Sequence, residues 1–204
     1  MPYKREYVGA TPAPSIRPSV NLACFYLKRN LIMPNWCSNE ITISGTTQEL
    51  KRFLTDCGYF DGHQFSFQRL KPMPEELKNI NHYYVDGGER YERKIGEDET
   101  QILTEQEVKN LKSKYGAANW YDWNINNWGT KWDVGSDADW SCASAEFLKC
   151  TLDDEYTDIY VSFDTAWGPP EELYKTLTSE YKLDFDWFYK EPGMRFAGWL
   201  GSNG

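Results

Sequence analysis

Two stretches of this chain read as a strand that runs straight into a capped helix, and that pairing narrows the folds open to it. In CSNEITISG (37–45), Ile41 and Ile43 alternate with polar neighbours, the period-two pattern of a half-buried strand, and Gly45 closes it. TTQELKRFLTDCG (46–58) then opens on Thr46 or Thr47 as cap, carries Leu50, Phe53, Leu54 and Cys57 as an apolar stripe, and stops at Gly58. The order returns later. DIYVSFDTAW (158–167) reads as a strand, and GPPEELYKTLTSEYKL (168–183) as a helix with Leu173, Leu177 and Tyr181 on one face. PMPEEL (72–77) and GPPEEL (168–173) each follow an aromatic segment, which points to two related halves.

The remaining segments fill in around those units. FSFQRL (65–70) is expected to be a strand ended by Pro72 and Pro74. PMPEELKNI (72–80) opens a short helix, with proline in its first turn and Glu75 and Glu76 at the positive end of the dipole. Residues 81–103 are polar and Gly-containing and read as a mobile insertion. Residues 104–129 start with a capping box, Thr104 with Glu107, and continue as one helix that Gly129 ends. Its predicted face is Val108, Leu111, Tyr115, Ala118, Tyr121, Ile125 and Trp128. SAEFLKCTL (144–152) should pair with 158–167 through DDEYT, and FDWFYKE (185–191) with MRFAGWL (194–200) around an EPG turn. The fold predicted is α+β: a ferredoxin-like antiparallel sheet with helices on one face and a helical insertion, about 81–130, between the two halves.

Composition fits one domain over residues 33–204. Of 204 residues 40% are hydrophobic and 16% aromatic, enough for a core without disulfides. Cys24, Cys37, Cys57, Cys142 and Cys150 are odd in number and contain no CxxC, which argues against a disulfide framework or a zinc site. No stretch approaches the ~18 apolar residues of a membrane span. VNLACFYL (20–27) is too short for a signal segment and is followed by Lys28 and Arg29, so a cytoplasmic protein is expected. Residues 1–32 hold Pro2, Pro12, Pro14 and Pro18 and no periodicity; they are read as a disordered extension upstream of a true start at Met33. They also hold Lys4, Arg5, Arg17, Lys28 and Arg29 against Glu6 alone, so the rest is more acidic than the net charge of -9 implies. An acidic body repels phosphate backbones, which disfavours general nucleic-acid binding.

NWYDWNINNWGTKW (119–132) holds four tryptophans, and packing accounts for most of them. On the helical phase above, Trp128 faces the sheet, while Trp120 and Trp123 lie on a neighbouring face or at its edge. NWGTKWD (127–133) is different. It places Asn127, Thr130 and Lys131 around two tryptophans directly after a helix end, which suits either a ligand site or a hydrogen-bonded corner. Lys131 is the only cation from residue 115 to residue 148, and it either pairs with Asp133, lies over a tryptophan face, or awaits an anion. The candidate binding residues are Trp36, Asn39, Asn127, Trp128, Thr130, Lys131, Trp132 and Trp167. No catalytic residue is assigned. His63 and His82 are the only histidines, and neither offers Cys37 an oriented triad. DVGSDADW (133–140) lacks calcium-loop spacing, EDE (97–99) and DDE (153–155) read as solvated turns, and neither metal nor cofactor is expected.

MPNWCSNEITISG, FSFQRLKPMPEEL, NWGTKWD, FDTAWGPP and EPGMRFAG, in that order, resemble the YubB/Api-type ferredoxin-like domain of phage and conjugative-plasmid proteins. The resemblance spans residues 33–204 and begins at Met33. It implies a ferredoxin-like fold carried by a mobile element, and no activity, because that domain's function is unknown. Joined to the acidic charge, it leads us to expect a non-enzymatic phage or plasmid protein that occupies a basic host protein in the bacterial cytoplasm, for counter-defence or host modulation. The alternative is a small-molecule or nucleotide binder with an aromatic pocket around Lys131.

Overall fold

The axis of the main sheet is β1 (Trp36–Thr46), eleven residues of strict alternation. A computed structural model describes residues 35–62, 64–134, 139–142 and 155–201. The 1–32 extension, the Met33 start, His63, most of the 144–152 strand's hairpin and the strand itself lie outside the described residues. β1 pairs antiparallel with β6 (Tyr156–Ala166) on one side and β7 (Asp184–Glu191) on the other. β5 (Asp139–Cys142) lies outside β6, and β8 (Phe196–Trp199) outside β7.

This order follows from the two strand–helix units. β1 runs into α1 (Thr47–Asp56), whose first turn is capped where expected: Glu49 N–H donates to Thr46 Oγ1 at 3.4 Å. β6 runs into the helix Glu171–Glu180, which returns as β7. β6 lies between β1 and β5, and β1 lies between β6 and β7. Each unit thus leaves a gap that the other fills, the interlocked arrangement of a ferredoxin-like sheet. The expected α+β antiparallel architecture is what forms.

Alternation then divides the sheet's faces. Cys37, Asn39, Ile41 and Ile43 point inward with Ile159, Val161, Phe163, Phe185 and Trp187. Leu50, Phe53 and Leu54 of α1 and Leu173 and Leu177 of the 171–180 helix complete one core. Both helices touch the same face: Phe53 meets Phe185 edge-on at 6.0 Å, and Tyr174 meets Trp187 at 6.0 Å. Each such side chain contributes about 1.5–3 kcal/mol on burial. The β7–β8 hairpin is closed by the buried Glu191 carboxylate, which accepts from the N–H groups of Gly193 and Met194.

Residues 65–130 depart from expectation in four places. FSFQRL is not a strand. Ser66 is extended, but residues 67–70 turn into α2 (Phe67–Leu70), because a carboxylate distant in sequence caps it. Asp133 accepts from Phe67 N–H at 2.6 Å, Ser66 Oγ–H at 2.6 Å and Gln68 N–H at 3.2 Å. Phe65 and Phe67 still both point inward, stacking on and edging into Phe163. Asp133→Ala is expected to lose about 1.5–3 kcal/mol in urea denaturation, because several N–H and O–H donors lose one charged acceptor. A loss within about 0.5 kcal/mol, ordinary for a surface change, would show that the cap is dispensable.

Residues 81–103 contain a three-stranded antiparallel sheet in place of a mobile segment: β2 (Ile80–Val85), β3 (Gly88–Lys94) and β4 (Thr100–Ile102). Asp86 and Gly87 make the two-residue turn, with φ of 50° and 82°, the left-handed pair such a hairpin needs. The predicted short helix over 72–80 shrinks to a single 3-10 turn, Glu75–Leu77, that buries Leu77.

The long helix over 104–128 is two helices. α3 (Glu105–Tyr115) keeps its capping box and ends at Gly116, φ 76°. α4 (Trp120–Trp128) restarts from Asn119, whose Oδ1 accepts from Asp122 N–H at 2.8 Å. The break resets the helical phase. Tyr121 and Ile125, expected inside, are exposed, while Trp123 and Asn124 join Trp128 in burial. The helix Glu171–Glu180 is α5 in chain order. Among the described residues no helix is long and apolar enough to cross a membrane.

Candidate functional site

Lys131 follows the left-handed Gly129 that ends α4, and its carbonyl accepts from Asn124 Nδ2 at 2.9 Å. Its ammonium lies 4.6 Å from the Trp132 ring centroid, 5.8 Å from Tyr121 and 6.0 Å from Trp120. The pairing with Asp133 weighed above is absent, since both carboxylate oxygens of Asp133 serve residues 66–68. Lys131 therefore rests over aromatic faces.

Trp132 leans on Trp36 at 6.4 Å, and both rings are exposed. Trp36 stands opposite Ala166 in the β1–β6 register, so Trp167 emerges beside it, its N–H donating to Asn35 O at 2.9 Å. Trp167 is exposed and has φ 75°. A bulky residue in the left-handed region costs on the order of 1–3 kcal/mol and persists where its surroundings or its use demand it. Lys131 and Trp167 also share a groove with Thr130, Gly168 and Pro169. Four of the eight candidate residues, Trp36, Lys131, Trp132 and Trp167, thus meet at one end of the main sheet.

The other four have internal partners. Asn39 is buried; its Nδ2 donates to Cys37 O at 2.9 Å and Thr165 Oγ1 at 2.8 Å, and its Oδ1 accepts from Trp187 Nε1 at 3.0 Å. Trp128 is buried and its Nε1 donates to Lys71 O at 2.9 Å. Thr130 is buried and donates to Ala166 O at 3.3 Å, and Asn127 Nδ2 donates to Trp123 O at 2.9 Å. These groups form the hydrogen-bonded corner that was the alternative reading of NWGTKWD.

The sequence reading missed the outward face of the main sheet. Ser44 lies between Asp158 and Asp184, and Thr42 between Tyr160 and Asp186. Glu40 lies between Ser162 and Phe188, and Ser38 between Asp164 and Lys190. Phe188 packs on Trp199 at 4.8 Å. Asp158, Asp164, Asp184 and Asp186 are exposed, and the one basic side chain among them, Lys190, is paired with Glu40 at 2.7 Å. The signal was present: DIYVSFD and DFDWFYK each put aspartates on the alternate positions that apolar residues leave.

Cysteine chemistry is poorly served. Cys37 lies inside the sheet, and burial pushes its thiol up to about 11 against a lowering hydrogen bond from Thr165. Burial also raises Cys57 well above its usual range. Both are therefore thiols, not thiolates, at neutral pH. Among the described residues no three His, Cys, Asp or Glu converge as a metal site.

Residues 146–200 match a family model described as the ferredoxin-like domain in Api92-like protein. Comparison with curated proteins and with solved structures finds no match. The matched segment includes β6, α5, β7 and β8, and in this part the chain is similar to the ferredoxin-like domain of Api92-like proteins.

Proposed function

We propose that this is a non-enzymatic binding protein of a phage or plasmid, and that it occupies a basic surface of a host protein in the bacterial cytoplasm. The observation that carries the reading is the outward sheet face, where Glu40, Asp158, Asp164, Asp184 and Asp186 share one surface with Phe188 and Trp199 and with Lys190, which is paired with Glu40. The aspartates of β6 and β7 face solvent on either side of β1 and give this face one sign of charge, which a basic partner neutralises and which steers the encounter. Exposed aromatic rings supply the anchors that dominate interface energies, and Trp36 extends the face toward Trp132 and Trp167. The mobile-element origin rests on the motif resemblance.

The test is affinity capture from bacterial lysate with the intact chain and with Asp158→Asn/Asp184→Asn/Asp186→Asn. A basic host protein should be retained by the first and lost by the second, with retention falling as salt rises. The triple variant should melt close to the parent, because it removes charges of one sign and an amide oxygen at position 184 still accepts from the Tyr156 hydroxyl. Trp199→Ala should weaken capture about tenfold or more, as an anchor residue does. Equal capture by parent and triple variant would sink the reading.

A further inference from the structure

Lys131 also lines a cavity of about 520 Å³, bounded by the β2–β3 hairpin on one side and α3 and α4 on the other. The volume lies in the range of small-ligand sites, ~300–1,000 Å³. Its walls are aromatic and held in place. His82 stacks on Tyr91 at 4.4 Å with rings 5° from parallel, and Tyr84 leans on His82 at 4.9 Å. Trp120 is fixed by its Nε1 donating to Asn81 Oδ1 at 3.1 Å. Tyr84 stands at the rim, 78% exposed.

The charges lining the cavity, Glu89 and Asp122 against Lys112 and Lys131, balance in number but not in place. Glu89 is engaged by Lys112 at 3.5 Å and faces His82 at 3.9 Å. Asp122 is held by Asn119 Nδ2 at 2.6 Å, within the α4 cap. Lys131 has no carboxylate within ion-pair distance among the described residues; its ammonium lies against the rings of Trp120, Tyr121 and Trp132. An ammonium beside ring walls suits a planar ring that carries an anionic group. The acidic body disfavours long polyanions but penalises a single charge far less.

We propose that this cavity binds a small aromatic anion of nucleoside-monophosphate size, its ring against Tyr84 and Trp120 and its anionic group on Lys131. The proposal is independent of the outward sheet face, which shares no residue with the cavity.

Calorimetric titration of the full chain with adenosine monophosphate and, separately, indole-3-acetate tests it and tells phosphate from carboxylate. At least one should bind saturably. Adenosine lacks the charge and inorganic phosphate lacks the ring, so each should bind about tenfold or more weakly than the nucleotide if the nucleotide is the ligand. Lys131→Met and Tyr84→Ala should each weaken binding about tenfold, and Lys175→Met, on α5, should leave it unchanged. Tyr84 is too exposed for its truncation to unfold the chain, which keeps the test open if Lys131→Met proves unstable. Saturable binding by neither probe, or binding that survives Tyr84→Ala and a folded Lys131→Met, would overturn the proposal.

Discussion

Trp128→Ala is expected to lower the free energy of unfolding by about 3–5 kcal/mol, the usual loss for a large aromatic truncated in a core. Trp128 is 2% exposed, meets Trp123 edge-on at 5.6 Å and Phe67 at 5.9 Å, and donates to Lys71 O. Truncation opens a cavity and also leaves that carbonyl without its donor. Trp123→Ala should cost a comparable amount, since Trp123 is 5% exposed. The helical phase read from the sequence gives a clearly smaller loss for Trp123, and the restart of α4 at Asn119 reverses that expectation. Because the two rings touch, the double variant should lose less than the sum of the singles. Urea denaturation followed by circular dichroism measures all three. A harmless Trp123→Ala beside a costly Trp128→Ala would restore the continuous helix and discard the break.

Gly129→Ala should cost about 2–5 kcal/mol, although it adds a single methyl group. Gly129 has φ 84°, a conformation that costs an L-residue about 1–2 kcal/mol. A Cβ there would also lie 2.8 Å from Glu171 N and 3.1 Å from Glu172 N, backbone atoms that cannot rotate aside. The end of α4 would have to move off the start of α5, an overpacking cost of about 1–3 kcal/mol. Gly116 is the internal control. Its φ is 76°, but nothing lies within 4 Å of its added Cβ, so Gly116→Ala should show the conformational cost alone. Equal thermal shifts for the two variants would mean that the α4–α5 contact is not tight.

The parts of the fold legible in the sequence are those specified by neighbours in the chain. β1 and α1 announce themselves by alternation and by Thr46, and α5 by its Leu173–Leu177 stripe. The failures have physical causes. Residues 67–70 coil because Asp133, far along the chain, caps them, and no local pattern carries that information. Residues 81–103 alternate charged groups with charged groups, so period two was masked, although the Asp86–Gly87 turn was a usable sign. In the candidate site, Asn39 and Thr130 look the same in sequence whether their polar atoms serve a ligand or the interior. Only the tertiary arrangement decides: the β1–β6 register turns Asn39 inward, and the turn after α4 buries Thr130 against Ala166 O. The outward aspartates were legible in principle, but only once the strands bearing them were known to flank β1 in one sheet.

The main sheet is long at its centre and short at an edge. β1 and β6 have eleven residues each, whereas β8 has four and β4, at the border of the small sheet, has three. Just past β8 the chain turns at Gly201, φ 79°, and abandons the ladder. Strand addition between copies would therefore gain few hydrogen bonds at these borders, which makes them poor templates for aggregation. A chain so rich in surface tryptophan would self-associate readily through a long open border. At the β8 and β4 borders the exposed tryptophans are thus left to act through faces, where charge can choose what adheres.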